Sequence, residues 1–193
     1  SQVFVGQWLE DGPLPFSASL TNRTGGALEV MFTNHTLPAG STARIALGDR
    51  IHQFTVPEAR QAATIPLPTD GGTRINEFVN AASIFFYEAA MQRNRGFGSD
   101  EARFNLDPAT ASTAISLAAH IDANRPAGWG QYAGQFLTPG RLDLSPLLAT
   151  GHAAVMVWCE DYAPAEAMNQ FQPRRTGRSS LLRLVVPLNP QEN

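Results

Sequence analysis

Hydrophobic positions along much of this chain recur every second residue, the period of a strand with one face buried. Leu28, Val30 and Phe32 alternate with Ala27, Glu29 and Met31, directly after the turn signal Thr24-Gly25-Gly26. Ala43, Ile45 and Leu47 alternate with Thr42, Arg44 and Ala46, and Gly48-Asp49-Arg50 then leads into a second run at 51–56, which predicts a hairpin. A short run at 62–67 is closed by Pro66, Pro68 and the turn Asp70-Gly71-Gly72. Two later runs, 152–159 and 180–186, are longer and nearly continuous in apolar character, as expected of strands buried on both faces or central in a sheet.

The middle of the chain carries mixed signals. Ile75, Phe78, Val79 and Ala82 recur at helical spacing, so a helix is expected across 74–82. The aromatic continuation Ser83-Ile84-Phe85-Phe86-Tyr87-Glu88 reads equally as helix or strand. Asp107-Pro108 is a respectable helix start. Beyond it, however, Thr113, Ile115, Leu117, Ala119 and Ile121 alternate with Ala114, Ser116, Ala118, His120 and Asp122, and this alternation predicts a half-buried strand. Leu144-Ser145-Pro146-Leu147-Leu148 predicts one helical turn, with Ser145 as cap and Pro146 in the first position.

Composition places these elements in a class. The chain has 193 residues, 43% apolar and 16% charged, enough apolar surface for a packed core and a length suited to one domain over 1–193. Its 14 prolines and 16 glycines punctuate the strand runs at the spacing of a two-sheet or barrel fold. The expected fold is therefore mainly all-β: an antiparallel β-sandwich or jelly roll with one or two short helices in its long connections. All 14 basic residues are arginine and lysine is absent, which fits GC-rich coding and equally a surface built for persistent interfaces. A net charge of -3 argues against broad nucleic-acid binding, and the local cluster Arg174, Arg175 and Arg178 reads as a solvated loop. No run is long enough to span a bilayer, and the first residues lack a signal peptide's basic start and apolar core. Ser1 fits removal of an initiator methionine as well as removal of a leader. Location is left open by the sequence: a virion if the chain builds a particle, otherwise the outside of the cell or the cytoplasm.

Candidate chemistry is sparse. His35, His52, His120 and His152 show no metal-ligand spacing, and the nearest approach is His120-Ile121-Asp122, whose ends would share one face of the expected strand. Cys159, the only cysteine, sits in an apolar run and reads as a buried, inert thiol. No nucleophile elbow or phosphate loop is present. Glu160 and Asp161 are adjacent on a strand end and point to opposite faces, so an acid/base pair would need a partner such as Asp143 or Glu166. Asn22-Arg23-Thr24 and Asn34-His35-Thr36 fit the glycosylation sequon, a triplet that chance also produces. No catalytic, cofactor or metal residue is assigned.

One stretch carries a likeness. Arg141-Leu-Asp-Leu-Ser-Pro-Leu-Leu-Ala-Thr-Gly-His-Ala-Ala-Val-Met-Val157 resembles the strand entry of jelly-roll sugar-binding domains, where an acidic turn, a Leu-Leu pair and a glycine precede a long buried strand. It covers under a tenth of the chain, and His152 replaces the asparagine usual in that family. The resemblance implies a two-sheet fold more than it implies sugar binding.

Three function classes follow. The first is a non-enzymatic assembly protein, such as a capsid, decoration or tail subunit of a virus or phage particle, whose partners are its own copies or other subunits. The second is a carbohydrate-binding or adhesion module with a glycan partner, its platform built from Trp129, Tyr132 and Trp158 or Tyr162. The third is a hydrolase or lyase with dispersed catalytic residues. Interface or ligand candidates are the large planar side chains of the irregular stretches: Arg93, Arg95 and Phe97 in one loop, Trp129 and Tyr132 in the next, Phe171, Arg174 and Arg175 in a third. Trp8, in the apolar arm at 3–8, is a further candidate, as that arm suits addition to a sheet edge.

Overall fold

The computed structural model describes residues 14–22, 27–82, 107–120, 142–160 and 179–188. Of these, 48% lie in strands, arranged in two antiparallel sheets with few helices. Eight strands run in the order β1 (Phe16–Asn22), β2 (Leu28–Asn34), β3 (Thr42–Leu47), β4 (Arg50–Thr55), β5 (Ala62–Leu67), β6 (Thr73–Arg74), β7 (His152–Glu160) and β8 (Ser179–Pro187). Between β6 and β7 come α1 (75–82), α2 (Pro108–Ile115), a 3-10 turn (Ala118–His120) and α3 (Ser145–Ala149). The three-stranded sheet has the order β1-β2-β5, and the five-stranded sheet β6-β4-β3-β7-β8.

Both sheets contribute to one apolar layer. Phe16, Val30, Phe32 and Leu67 of the three-stranded sheet cluster with Ala43, Ile45, Val155 and Val157 of the five-stranded sheet. Phe32 stacks on Phe16 and meets Phe54 of β4 edge-on, each at 5.3 Å, so an aromatic row reaches from one sheet to the other. The opposite face of the five-stranded sheet is also dry. Ala46, Ala154 and Met156 lie there against Ile75 and Val79 of α1, Ala114 of α2, and Leu148 of α3. Alanine at both sheet and helix positions lets the helices lie close. β3 and β7 are thus covered on both faces, which explains their lack of a polar side.

The chain passes between the sheets three times, from β2 to β3, from β4 to β5 and from β5 to β6. Asn34 holds the first two passages. Its amide, fully buried, donates to the carbonyls of Leu37 (3.0 Å) and Pro57 (2.6 Å), and its oxygen accepts from the N–H of Leu37 (2.7 Å). Its own backbone is bound as well, accepting from Arg60 N–H (2.6 Å) and donating to Gln61 C=O (2.9 Å). Arg60 takes a left-handed backbone there, with φ 63. The sequon at Asn34 therefore has no side-chain nitrogen to offer in the folded chain.

The helix at 75–82, the β3–β4 hairpin, and the strands at 28–34, 62–67 and 152–160 match the sequence expectations. Three expectations are corrected. Where a strand is expected from residue 113 onward, the described residues up to 120 form the end of α2 and the 3-10 turn. The Asp107 carboxylate accepts from the N–H groups of Ala109 and Thr110, while Thr113 and Ser116 satisfy their hydroxyls on carbonyls four residues back. Small Ala, Ser and Thr side chains alternate without meaning, and the cap decides. In α3 the capping carboxylate is Asp143, whose Oδ1 accepts from both the N–H (2.9 Å) and hydroxyl (2.6 Å) of Ser145, already the first helical residue. Among the described residues β8 has a strand neighbour on one side only and is part-buried along most of its length, where a central or doubly buried strand is expected.

Replacing Asn34 by alanine leaves a buried N–H and two buried carbonyls unpaired. We expect a loss of about 2–4 kcal/mol in urea denaturation. Arg60→Gly, which relieves the left-handed backbone, should be neutral to stabilising by up to about 1 kcal/mol.

Candidate functional site

None of the nine interface candidates named from sequence lies in the described part of the molecule: Trp8, Arg93, Arg95, Phe97, Trp129, Tyr132, Phe171, Arg174 and Arg175 all fall outside it, as do Asp122, Asp161, Tyr162 and Glu166. The described candidates are quickly placed. Cys159 is fully buried in the layer between the sheets, and burial pushes its thiol up to about 11, so the nucleophilic thiolate is suppressed. His120 sits in the 3-10 turn and not on a strand, so its expected same-face pairing with residue 122 does not arise from strand geometry. Burial lowers the basicity of His120 against the opposing pull of Asp143, and its Nε2 is buried without a hydrogen bond. Asp143 uses Oδ1 on Ser145 and Oδ2 on the N–H of Ala119 (2.8 Å), tying the 3-10 turn to α3, which makes it a cap and a poor acid/base partner. Among the described residues no three His, Cys, Asp or Glu side chains are grouped to hold a metal. No described helix is long and apolar enough to cross a membrane.

Two features remain that sequence reasoning did not single out. The first is the outer face of the three-stranded sheet. Ser17, Ser19 and Thr21 of β1 stand opposite Thr33, Met31 and Glu29 of β2, and Met31 stands in turn opposite Thr64 of β5. Met31 is 49% exposed at the middle of this face. Glu29 is its one charged side chain among the described residues, and Ala62 and Pro66 complete β5's share. The sequence signal was available, because alternation in β1 leaves only hydroxyls on the outward positions, and in β2 a single charge, Glu29, beside Met31 and Thr33.

The second is Arg44, at the centre of β3 on the helix-covered face and only 7% exposed. Its guanidinium donates to the hydroxyls of Thr110 (3.0 Å) and Thr113 (3.4 Å) of α2, and lies 5.6 Å from the centre of the Phe78 ring. The Asp107 carboxylate is 3.7 Å away and more than half exposed. Burial lowers the Arg44 pKa, with Asp107 opposing, yet guanidinium keeps its charge at any ordinary pH. Beside Arg44 opens a pocket of about 200 Å³, walled by Ile51, His52, Gln53 and Thr73 and by Phe78 from α1. Gly72, which also borders it, has φ 73, and a Cβ there would come within 2.6 Å of the Ile51 carbonyl oxygen and 2.9 Å of His52 Nδ1. Only glycine fits that turn.

Comparison with protein-family models, curated proteins and solved structures finds no match.

Titration should show in stability. His52 is less basic than usual because of burial and the nearby Arg50 charge, and His120 is depressed by burial as above. For Asp107, burial raises the pKa, but hydrogen bonds from Thr110 and Ala109 and the Arg44 charge outweigh it and leave the group below its ordinary value. All three groups bind protons less readily folded than unfolded, so their contribution is present at neutral pH and lost on acidification. The urea midpoint should fall between about pH 7.5 and about pH 5 through the histidines, and again below the carboxylate range near 4 through Asp107. The double variant His52→Gln with His120→Gln should flatten the first step, and Asp107→Asn the second.

Proposed function

We propose that this protein is a non-enzymatic assembly subunit of β-sandwich or jelly-roll type, of the kind that builds or decorates a virus or phage particle. The observation that supports this reading is the outer face of the three-stranded sheet. A solvated sheet face ordinarily carries several charges of both signs, which keep it from adhering to other surfaces. Here the face is three strands wide and made largely of Ser and Thr hydroxyls, with Met31 protruding at its centre and Glu29 as the one charge among the described residues. Small hydroxyls are re-paired readily on desolvation, which leaves Glu29 as the one described ion of this face whose burial would be costly. A charge-poor face of this kind suits close packing against a copy of the same chain or another subunit. The planar Arg and aromatic candidates of the irregular stretches would add to that contact.

The carbohydrate-binding alternative draws on one local observation. The stretch resembling a jelly-roll strand entry does form a helical turn, α3, followed by Gly151 with φ 78 and the long buried strand β7. Of the platform residues of that alternative only Trp158, half-buried on β7, is described. The assembly reading is preferred for the outer sheet face that supports it.

Light scattering after size exclusion tests it. We expect a discrete oligomer far above the 20.8 kDa of one chain. Met31→Lys with Thr64→Lys should shift it toward monomer without moving the unfolding midpoint, because both side chains are exposed. A clean monomer at all concentrations, or an oligomer indifferent to this double substitution, would overturn the assignment of that face.

A further inference from the structure

The pocket beside Arg44 is not used by the assembly reading, and its chemistry is specific. Arg44, Gln53 and Thr73 bring a guanidinium, an amide and a hydroxyl to its lining beside the apolar Ile51 and Phe78, while the register of β3 and β4 turns the His52 side chain to the other face of the sheet, against Gly72. No carboxylate lines it among the described residues. The geometry points to this pocket as a binding site for a small organic anion, a carboxylate attached to a compact apolar body.

Three observations carry the assignment. First, the one carboxylate paired with Arg44 among the described residues, Asp107, stays at 3.7 Å, is more than half exposed, and shares its oxygens with the start of α2: Oδ1 accepts from Ala109 N–H, and Oδ2 from both the N–H and the hydroxyl of Thr110. A guanidinium out of water is expensive unless a carboxylate or equivalent anion meets its fork. Second, of the five N–H groups that arginine presents, Arg44 spends one bond at 3.0 Å and a long one at 3.4 Å on threonine hydroxyls among the described residues. Third, the space is small and two-sided. About 200 Å³ is too little for a nucleotide or an oligosaccharide and enough for a molecule of roughly ten non-hydrogen atoms, with Phe78 and Ile51 offering an apolar wall next to the polar group. Thr110 and Thr113 meanwhile pin the guanidinium from the helix side, so it is held in place before any ligand arrives.

Benzoate is the probe that matches this description, with neutral benzamide and inorganic phosphate as its controls. The full chain is labelled with 15N and the Arg44 Nε–H resonance is followed during titration. A saturable shift with benzoate is expected at a dissociation constant in the micromolar to low millimolar range, with benzamide weaker by roughly tenfold or more. Gln53→Trp, an exposed substitution at the rim, should abolish the shift while leaving the urea midpoint unchanged. Arg44→Lys, which keeps the charge and loses the fork, should weaken binding by about tenfold, provided its midpoint shows it folded. Absence of a saturable shift with benzoate overturns the proposal. So does equal binding of benzamide, or an unaffected Gln53→Trp variant. Phosphate binding as tightly as benzoate would overturn the requirement for an apolar body. All these readings are made on single chains at fixed protein concentration, so they are independent of whether the outer sheet face assembles.

Discussion

Strands β3 and β7 have no face left for water, and most of the rest follows from that. One side of each is pressed into the layer shared with the three-stranded sheet, and the other is roofed by α1, α2 and α3. Side chains on both sides are therefore mostly apolar, and on the helix side alanine at 46 and 154 of the strands meets alanine at 114 of α2. A charge in such a position needs an unusual set of partners. Arg44 finds them in two threonine hydroxyls, an aromatic ring and the exposed carboxylate of Asp107, and in doing so fixes α2 across the sheet. Burial of a cation is weak evidence for stability by itself, since well-packed apolar residues serve as well or better. Its retention makes more sense if the charge has something to meet.

Asn34 plays the corresponding part at the margin of the shared layer. Where the chain leaves one sheet for the other, its backbone can no longer pair with a neighbouring strand, and unpaired buried amides are costly. A single asparagine replaces that lost pairing for two crossings at once, because its side chain is both donor and acceptor, like a peptide group. The nearby Leu37 and the remote Pro57, 23 residues on, are thereby held to one end of β2.

Much of this was legible in the sequence. Period-two alternation located β2, β3, β4 and β5, and continuous apolarity located β7, because the physics of one-sided and two-sided burial writes directly into residue choice. β1 was missed: Phe16-Ser-Ala-Ser-Leu-Thr alternates, but its small residues give weak contrast. α2 was misread for the opposite reason, since Thr113, Ile115 and Leu117 alternate by accident while the capping carboxylate of Asp107 sets the helix. β8 reads as more central than its place among the described strands, because apolar residues at the end of a sheet look the same as those inside it. The site was less legible than the fold. Arg44 was visible as a polar position on a strand, but its burial depends on helices supplied from residues 30 and more further along the chain. The planar side chains singled out from composition belong to stretches that the described structure does not reach.

Cys159 offers a last consequence. It is the only sulfhydryl of the chain and lies in the sealed layer between the sheets, at 0% exposure and with its acidity suppressed. Two molecules cannot join through it while that layer is intact. Any covalent dimer seen on a non-reducing gel is therefore an archive of past openings of the layer: its abundance records how often β7 has parted from the three-stranded sheet during the history of the sample. Storage, heating or dilution could be compared by that mark alone, with no label added to the protein.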